Sequence, residues 1–266
     1  MTRLPFFQVD AFADRPFTGN PAAVMPLERW LDDATLQAIA AENNLSETAF
    51  LVPDASGAAD YELRWFTPAA EVLMCGHATL ASGYVMMQDA TVDRLRFATR
   101  RVGTLDVSRD GDGYTLDLPA FAPVPKPLPE IVAALELAPE EVEATLWHDH
   151  GYAVVVLRDE AAVRACAPNM RALAGVGDRL SIVTAVGTTA PVVSRAFAPA
   201  KGIDEDPVTG SAHAVIVPYW AERLGRESFG AYQASARGGH IACRLEGDRV
   251  VLGGRCVTVI EGTMRL

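Results

Sequence analysis

The chain repeats itself. The run Arg64-Trp65-Phe66-Thr67-Pro68-Ala69 returns as Arg195-Ala196-Phe197-Ala198-Pro199-Ala200, so the pattern R-x-F-x-P-A occurs in both halves. Each copy precedes a short glycine loop of small residues, Cys75-Gly76-His77-Ala78-Thr79 in the first half and Thr209-Gly210-Ser211-Ala212-His213 in the second. Each loop runs into a mostly apolar helical stretch. A weaker echo pairs Gly103-Thr104-Leu105-Asp106-Val107 with Gly239-His240-Ile241-Ala242-Cys243, followed by a Gly-Asp turn at Gly111-Asp112 or Gly247-Asp248 and a further strand pattern. Two echoes in the same order argue for duplication. With no period of about 20 to 50 residues, they predict two pseudo-symmetric domains and not a solenoid.

The stretches after the loops, Ala78 to Met87 and Ala212 to Leu224, carry apolar residues around much of their circumference, which is the mark of a buried helix. Strand patterns stand before and after each. The predicted fold class is therefore α+β, each half a curled sheet around a central helix. Asp32 to Asn44 reads differently, with an acidic start and apolar positions at Leu36, Ile39 and Ala40, as in a surface amphipathic helix. Pro129 to Leu137 and Pro139 to Leu146 read the same way. Prolines at 123, 125, 127 and 129 make Phe121 to Pro129 stiff and extended, and the domain boundary is placed there, giving 1–122 and 123–266. The last segment, Cys256 to Leu266, alternates like a strand able to return to either half.

Half of the 266 residues are apolar, enough for one large core or two medium ones. The formal charge of −11 and the absence of any Lys/Arg block exclude nucleic acid as a partner. The first residues enter a strand pattern at Phe7 to Phe12 with no apolar leader, and no apolar run approaches the roughly 18 residues of a membrane helix. The expectation is a soluble, cytoplasmic protein without a membrane partner. The four cysteines, Cys75, Cys166, Cys243 and Cys256, lack close paired spacing, in keeping with a reducing compartment. His148-x-His150 and His213 combine with no cysteine at zinc-finger spacing and there is no H-E-x-x-H, so no metal is expected; without G-x-G-x-x-G or a Walker loop, no nucleotide cofactor is expected either.

The glycine loops are the candidate ligand site. Each opens a helix, where backbone N–H groups lack helical partners and the dipole is positive, so each can receive an anion such as a carboxylate. Gly76 and Gly210 also serve tight turns, a use that needs no ligand. Asp204, Glu205 and Asp206 precede the second loop, and Asp206 has two open uses, capping the loop and catalysis. Thr209 and Ser211 are hydrogen-bond donors or caps and not nucleophiles, since no G-x-S-x-G elbow surrounds them. Glu47 follows a helix end beside residues that read as buried. A desolvated carboxyl there trades a proton near neutral pH, whereas an ion pair with an arginine such as Arg64 removes that role. His77, directly after Gly76, is placed to donate to a substrate or relay a proton.

With Gly19-Asn20-Pro21-Ala22-Ala23-Val24, Asn44 to Phe50, Arg64 to Val72, Cys75 to Thr79 and Glu205 to His213, the chain resembles the phenazine-biosynthesis PhzF-like family over nearly its whole length. The resemblance implies a diaminopimelate epimerase-like fold with the site in the cleft between two similar halves. It implies a cofactor-independent isomerase acting on a small carboxylate substrate, with Glu47, His77 and Asp206 catalytic and Gly76, Gly210 and Ser211 binding substrate. Asn20, Cys75 and Thr209 complete the expected binding set, and a homodimer is expected through the resemblance. The epimerases of this fold use two cysteines, one per glycine loop. This chain has Cys75 but none between Gly202 and Ala212, which disfavours a two-thiol racemase. Two rivals stay open: an epimerase pairing Cys75 with a carboxylate, and a small-ligand binding protein that kept the site without the chemistry.

Overall fold

A computed structural model of the chain describes residues 2–88 and 90–266. The chain forms two compact units, residues up to Leu118 together with Gly253–Leu266, and Pro119–Leu252. The first crossing falls between Leu118 and Pro119, ahead of the 122/123 boundary expected from the prolines, and the closing segment belongs with the first unit.

The first unit contains β1 (Arg3–Ala11), β2 (Asn20–Pro26), α1 (Asp33–Asn43), β3 (Glu47–Pro53), β4 (Tyr61–Phe66), β5 (Glu71–Val72), α2 (Gly76–Met87), β6 (Arg94–Thr99), β7 (Thr104–Asp110) and β8 (Gly113–Pro119). Its ladders alternate in sense: β1–β2 antiparallel, β2–β3 parallel, β3–β4 antiparallel, β4–β6 parallel and β6–β7 antiparallel. Strands buried on both faces read as continuous apolar runs, and Ala49-Phe50-Leu51 of β3 are almost fully buried. The closing strand Cys256–Arg265 lies antiparallel to β1, from Arg3 opposite Arg265 to Ala11 opposite Cys256.

Helix α2 is buried over nearly all of its residues, as its apolar circumference predicts. Small residues make this possible. A Cβ at Gly83 would stand 2.4 Å from Val107 Cγ1, so β7 packs directly on the helix backbone. The buried hydroxyls of Thr79 and Ser82 donate to the carbonyls four residues back at 2.6 and 2.7 Å, so neither is left unsatisfied.

The second unit contains β9 (Val124–Pro125), α3 (Pro129–Ala134), β10 (Val142–His148), β11 (Tyr152–Leu157), α4 (Glu160–Ala165), α5 (Met170–Gly175), β12 (Leu180–Val186), β13 (Val192–Ala198), β14 (Ile203–Asp206), α6 (Gly210–Leu224), β15 (Ser228–Gln233), β16 (Gly239–Glu246) and most of β17 (Arg249–Gly254); Cys256–Arg265, in the first unit, is β18. The order of ladder senses repeats that of the first unit: β10–β11 antiparallel, β11–β12 parallel, β12–β13 antiparallel, β13–β15 parallel and β15–β16 antiparallel. The duplication read in the sequence is thus a duplication of topology.

The echoed arginines explain why R-x-F-x-P-A recurs. Arg64 on β4 forks onto Glu71, Nε to Oε1 and Nη2 to Oε2 both at 2.8 Å. Arg195 on β13 forks onto Glu205 at 2.7 and 3.0 Å. Each fork ties a long strand to the short one leading into a glycine loop, with the bidentate geometry that gives arginine its advantage over lysine. Arg64 also reaches Asp33 at 2.9 Å, so its partners are Asp33 and Glu71, not Glu47.

Two expected helices differ. Pro139 to Leu146 is a single 3₁₀ turn, Pro139–Glu141, followed by β10. The acidic opening imitates a helix start, but Val142, Thr145 and Trp147 favour extended backbone and the ladder with β11 decides. Helix α3 stops at Ala134, and the proline stretch before it is not free, because Val124 and Pro125 pair with Trp147 and Leu146. Among the described residues no helix is long and apolar enough to cross a membrane.

One glycine has a direct bearing on the site. Gly19 has φ +65°, and a Cβ there would lie 2.2 Å from the Ala11 carbonyl oxygen. It permits the tight return from β1 that starts β2 at Asn20. Gly19→Ala is expected to cost more than about 1 kcal/mol, read as a lowered urea midpoint; an unchanged midpoint would show that the turn tolerates a side chain.

Candidate active site

Three segments deliver the first cluster. Helix α1 ends at Asn44, whose left-handed φ of 48° caps it, and the chain turns at once so that Glu47 opens β3. The Gly19 turn opens β2 with Asn20, and Cys75 precedes the first residue of α2. Glu47 has a side chain only 13% exposed, with Oε2 3.2 Å from His77 Nε2. Asn20 Nδ2 lies 3.0 Å from His77 Nδ1 across 57 residues of sequence. Cys75 Sγ lies 3.5 Å from the same Nδ1 and 4.0 Å from Nε2. Glu47, His77, Cys75, Gly76 and Asn20, all expected site residues, are therefore brought together.

Burial pushes His77 down to about 3, opposed by a hydrogen bond with the Pro21 carbonyl, so the imidazole is neutral at physiological pH. A neutral imidazole has one donor and one acceptor nitrogen. The Glu47 carboxyl therefore faces a neutral imidazole, not an imidazolium, across 3.2 Å. A carboxyl and a neutral imidazole at this separation are within reach of a common proton. Cys75 gives α2 no side-chain cap, and the first-turn amides keep the open character of an uncapped helix start.

The second cluster lies in the other unit. Asp206 ends β14, and its Oδ2 accepts from the Thr209 hydroxyl; Thr209 likewise gives α6 no side-chain cap. Gly210 and Ser211 open that helix. Asp206 therefore ties the loop together through Thr209, the capping use foreseen for it, while remaining beside the glycine loop. His213 is fully buried, its Nδ1 2.8 Å from the Thr209 carbonyl oxygen, and burial pushes it down to about 4.

Two residues escaped the sequence reading. Gln233, fully buried at the end of β15, clamps the second loop: its Oε1 accepts from Thr209 N at 2.8 Å, and its Nε2 donates to the Asp206 carbonyl at 2.7 Å and to Thr209 Oγ1 at 3.0 Å. Its signal was present, since the alternation of Phe229 and Ala231 puts position 233 on the inward face. Tyr152 carries a side-chain hydrogen bond with Ser211, and burial raises its hydroxyl above the usual phenol range. Gln233→Leu is expected to remove the side-chain partner of Thr209 N and the amide that donates to the Asp206 carbonyl, and to destabilise by about 1–3 kcal/mol, checked by urea unfolding. A loss below that range would mean that the loop finds other partners.

Residues 9–262 match the PhzC-PhzF family model, described as phenazine biosynthesis-like protein. An uncharacterized isomerase of Pseudomonas aeruginosa is 49% identical over 266 residues, covering 99% of each chain. Phenazine biosynthesis-like domain-containing protein 2 of the mouse is 39% identical, over 98% of this chain and 99% of its own. The crystal structure of a PhzF-family phenazine biosynthesis protein from Enterococcus faecalis superposes with a TM-score of 0.91 at 42% identity, covering all of both chains. A hydroxyproline epimerase of Agrobacterium vitis shares the fold alone, with a TM-score of 0.66 at 13% identity over 98% of this chain and 92% of its own. The family match and relatives named as uncharacterized isomerases support an isomerase. By its full-length match and its near-half identity to such relatives, the chain belongs to the phenazine biosynthesis-like PhzC-PhzF family.

Proposed function

We propose that the chain is a cofactor-independent isomerase that moves a proton on a small carboxylate-bearing substrate. The substrate carboxylate docks on the amides of the glycine loop at Gly76, beside Glu47, while the loop of Thr209, Gly210 and Ser211 offers a second helix start of the same kind. Glu47 takes a proton from an activated carbon, leaving the electron pair delocalised into the conjugated system, and returns the proton to a different carbon. No redox partner enters the balance. His77 holds Glu47 in place and Asp206 fixes the second loop. One observation carries the reading: a nearly buried carboxyl, 3.2 Å from a neutral imidazole, at an uncapped helix start.

The test is deuterium incorporation from heavy water into a panel of amino acids and unsaturated cyclic carboxylates, with wild-type protein and Glu47→Gln. Wash-in that depends on Glu47 supports the proposal. A bound ligand that exchanges nothing overturns it in favour of a binding protein. The 3.5 Å approach of Cys75 Sγ to His77 favours a second reading, an epimerase with Cys75 as one of its two proton carriers. That reading requires label at a stereocentre whose configuration inverts, and loss of turnover on alkylating Cys75.

A further inference from the structure

We infer that Glu47, Cys75 and His77 also form a binding site for a thiophilic divalent cation of the zinc type, and that occupying it shuts proton transfer off. The binding half stands on geometry alone; the shut-off half rests on the proposed function. The ligating atoms of the three residues all lie within 4.8 Å of one another. His77 Nε2 is 3.2 Å from Glu47 Oε2 and 4.0 Å from Cys75 Sγ. Tetrahedral zinc, with bonds of about 2.0–2.3 Å to oxygen, nitrogen and sulfur, needs ligand atoms roughly 3.3–3.8 Å apart. The Glu47–His77 separation is within 0.1 Å of that range, and Cys75 Sγ, now nearer Nδ1 at 3.5 Å, must turn about its Cα–Cβ bond toward the Nε2 side to complete the triangle.

The donor set is also the right one. Thiolate, imidazole and carboxylate together select zinc and similar cations over magnesium or calcium, which take oxygen. Thiolate and carboxylate bring two negative charges to a buried place, and a divalent cation neutralises both. Asn20 completes the arrangement from behind. Its amide sits 3.0 Å from His77 Nδ1; with the amide oxygen turned to that nitrogen it accepts Nδ1–H and directs the Nε2 lone pair at the cation. Three protein ligands leave a fourth position for water or a carboxylate.

The sequence hid this site because Cys75-x-His77 is a short pair without a second Cys/His pair, and Glu47 reaches it only through the fold. On binding, the Cys75 thiol gives up its proton to solvent as the sulfur–metal bond forms. Glu47 then spends on the cation the lone pair that would take the substrate proton, so a loaded site does not exchange.

The experiment uses reduced, chelator-stripped protein titrated with Co²⁺, whose thiolate bond gives a near-ultraviolet charge-transfer band, and with Zn²⁺ followed by equilibrium dialysis and elemental analysis. The expected result is one ion per chain and a band that Cys75→Ala abolishes, with at least tenfold weaker binding in His77→Asn. Cys256→Ser and His150→Ala bind as wild type, which separates this site from the Cys256 thiol and from His148/His150. A fold check by thermal unfolding accompanies each variant, and Cys75→Ser serves if Cys75→Ala does not fold. Absence of the band, or a band that survives loss of Cys75, overturns the site. In the exchange assay one equivalent of Zn²⁺ is expected to stop label uptake and a chelator to restore it. Exchange at full rate with the site loaded overturns the shut-off half. Metal binding by a protein that shows no exchange even when metal-free supports the site while removing the isomerase reading.

Discussion

Glu47→Gln is expected to lower turnover by about 10²–10⁴-fold, the usual contribution of a positioned general acid–base group, while leaving the fold intact. Glutamine keeps the length of the side chain and an oxygen able to accept from His77 Nε2, 3.2 Å away. It has no carboxylate to take a proton. Because Glu47 enters the sheet through its backbone, paired with Ala22 of β2, the strand does not depend on its charge. Glu47→Asp is expected to fall between the two, the carboxylate being drawn back by one methylene. Steady-state rates on a substrate found by isotope exchange, with unfolding curves for each variant, provide the check. A Glu47→Gln enzyme within threefold of wild type would remove Glu47 as the proton carrier and turn attention to Cys75.

Acid is expected to weaken the protein well before its carboxylates titrate. His77 and His213 are pushed down to about 3 and about 4, in both cases chiefly by burial. Their ordinary value is 6.5, so in the window between it and the folded values the unfolded chain binds protons that the folded chain does not. Stability therefore rises with pH through this window and is lost as pH falls below about 6.5. At about 1.36 kcal/mol per pH unit, each histidine removes about 2 kcal/mol at pH 5. The two belong to different units, and independent sites add, for a total of about 4 kcal/mol. Urea unfolding between pH 7.5 and pH 5 measures it. A flat profile would mean that neither imidazole is held neutral by its surroundings, and removal of one histidine should halve the slope.

The sequence was most readable where a pattern is repeated. R-x-F-x-P-A and the glycine loops announced two halves, and the ladders of β2–β3 and β11–β12 share their sense as the echo requires. Glu47 and His77 were singled out from position and Cys75 through the family resemblance, and the three stand together. Contacts between distant residues were not readable: nothing in the chain says that Asn20 holds His77 across 57 residues, or that Gln233 clamps Thr209 across 24. Glu71 and Glu205 looked like ordinary acidic residues until their arginines were seen to fork onto them. Pro139 to Leu146 was misread because local propensity there favours a helix start, while the decision belongs to β11, a partner supplied only by the fold.

The ladder between β1 and β18 sets an order of events during synthesis. The second unit is continuous in sequence, so all of it has been made once Leu252 is joined. The first unit holds β1 and the Glu47 cluster, yet its outer ladder runs from Arg3 opposite Arg265 to Ala11 opposite Cys256. Domains emerging from the ribosome usually close from the N-terminus onward. Here that order is reversed: the half that appears first must wait with an open strand edge until the last strand arrives, and the half that appears later can finish before it.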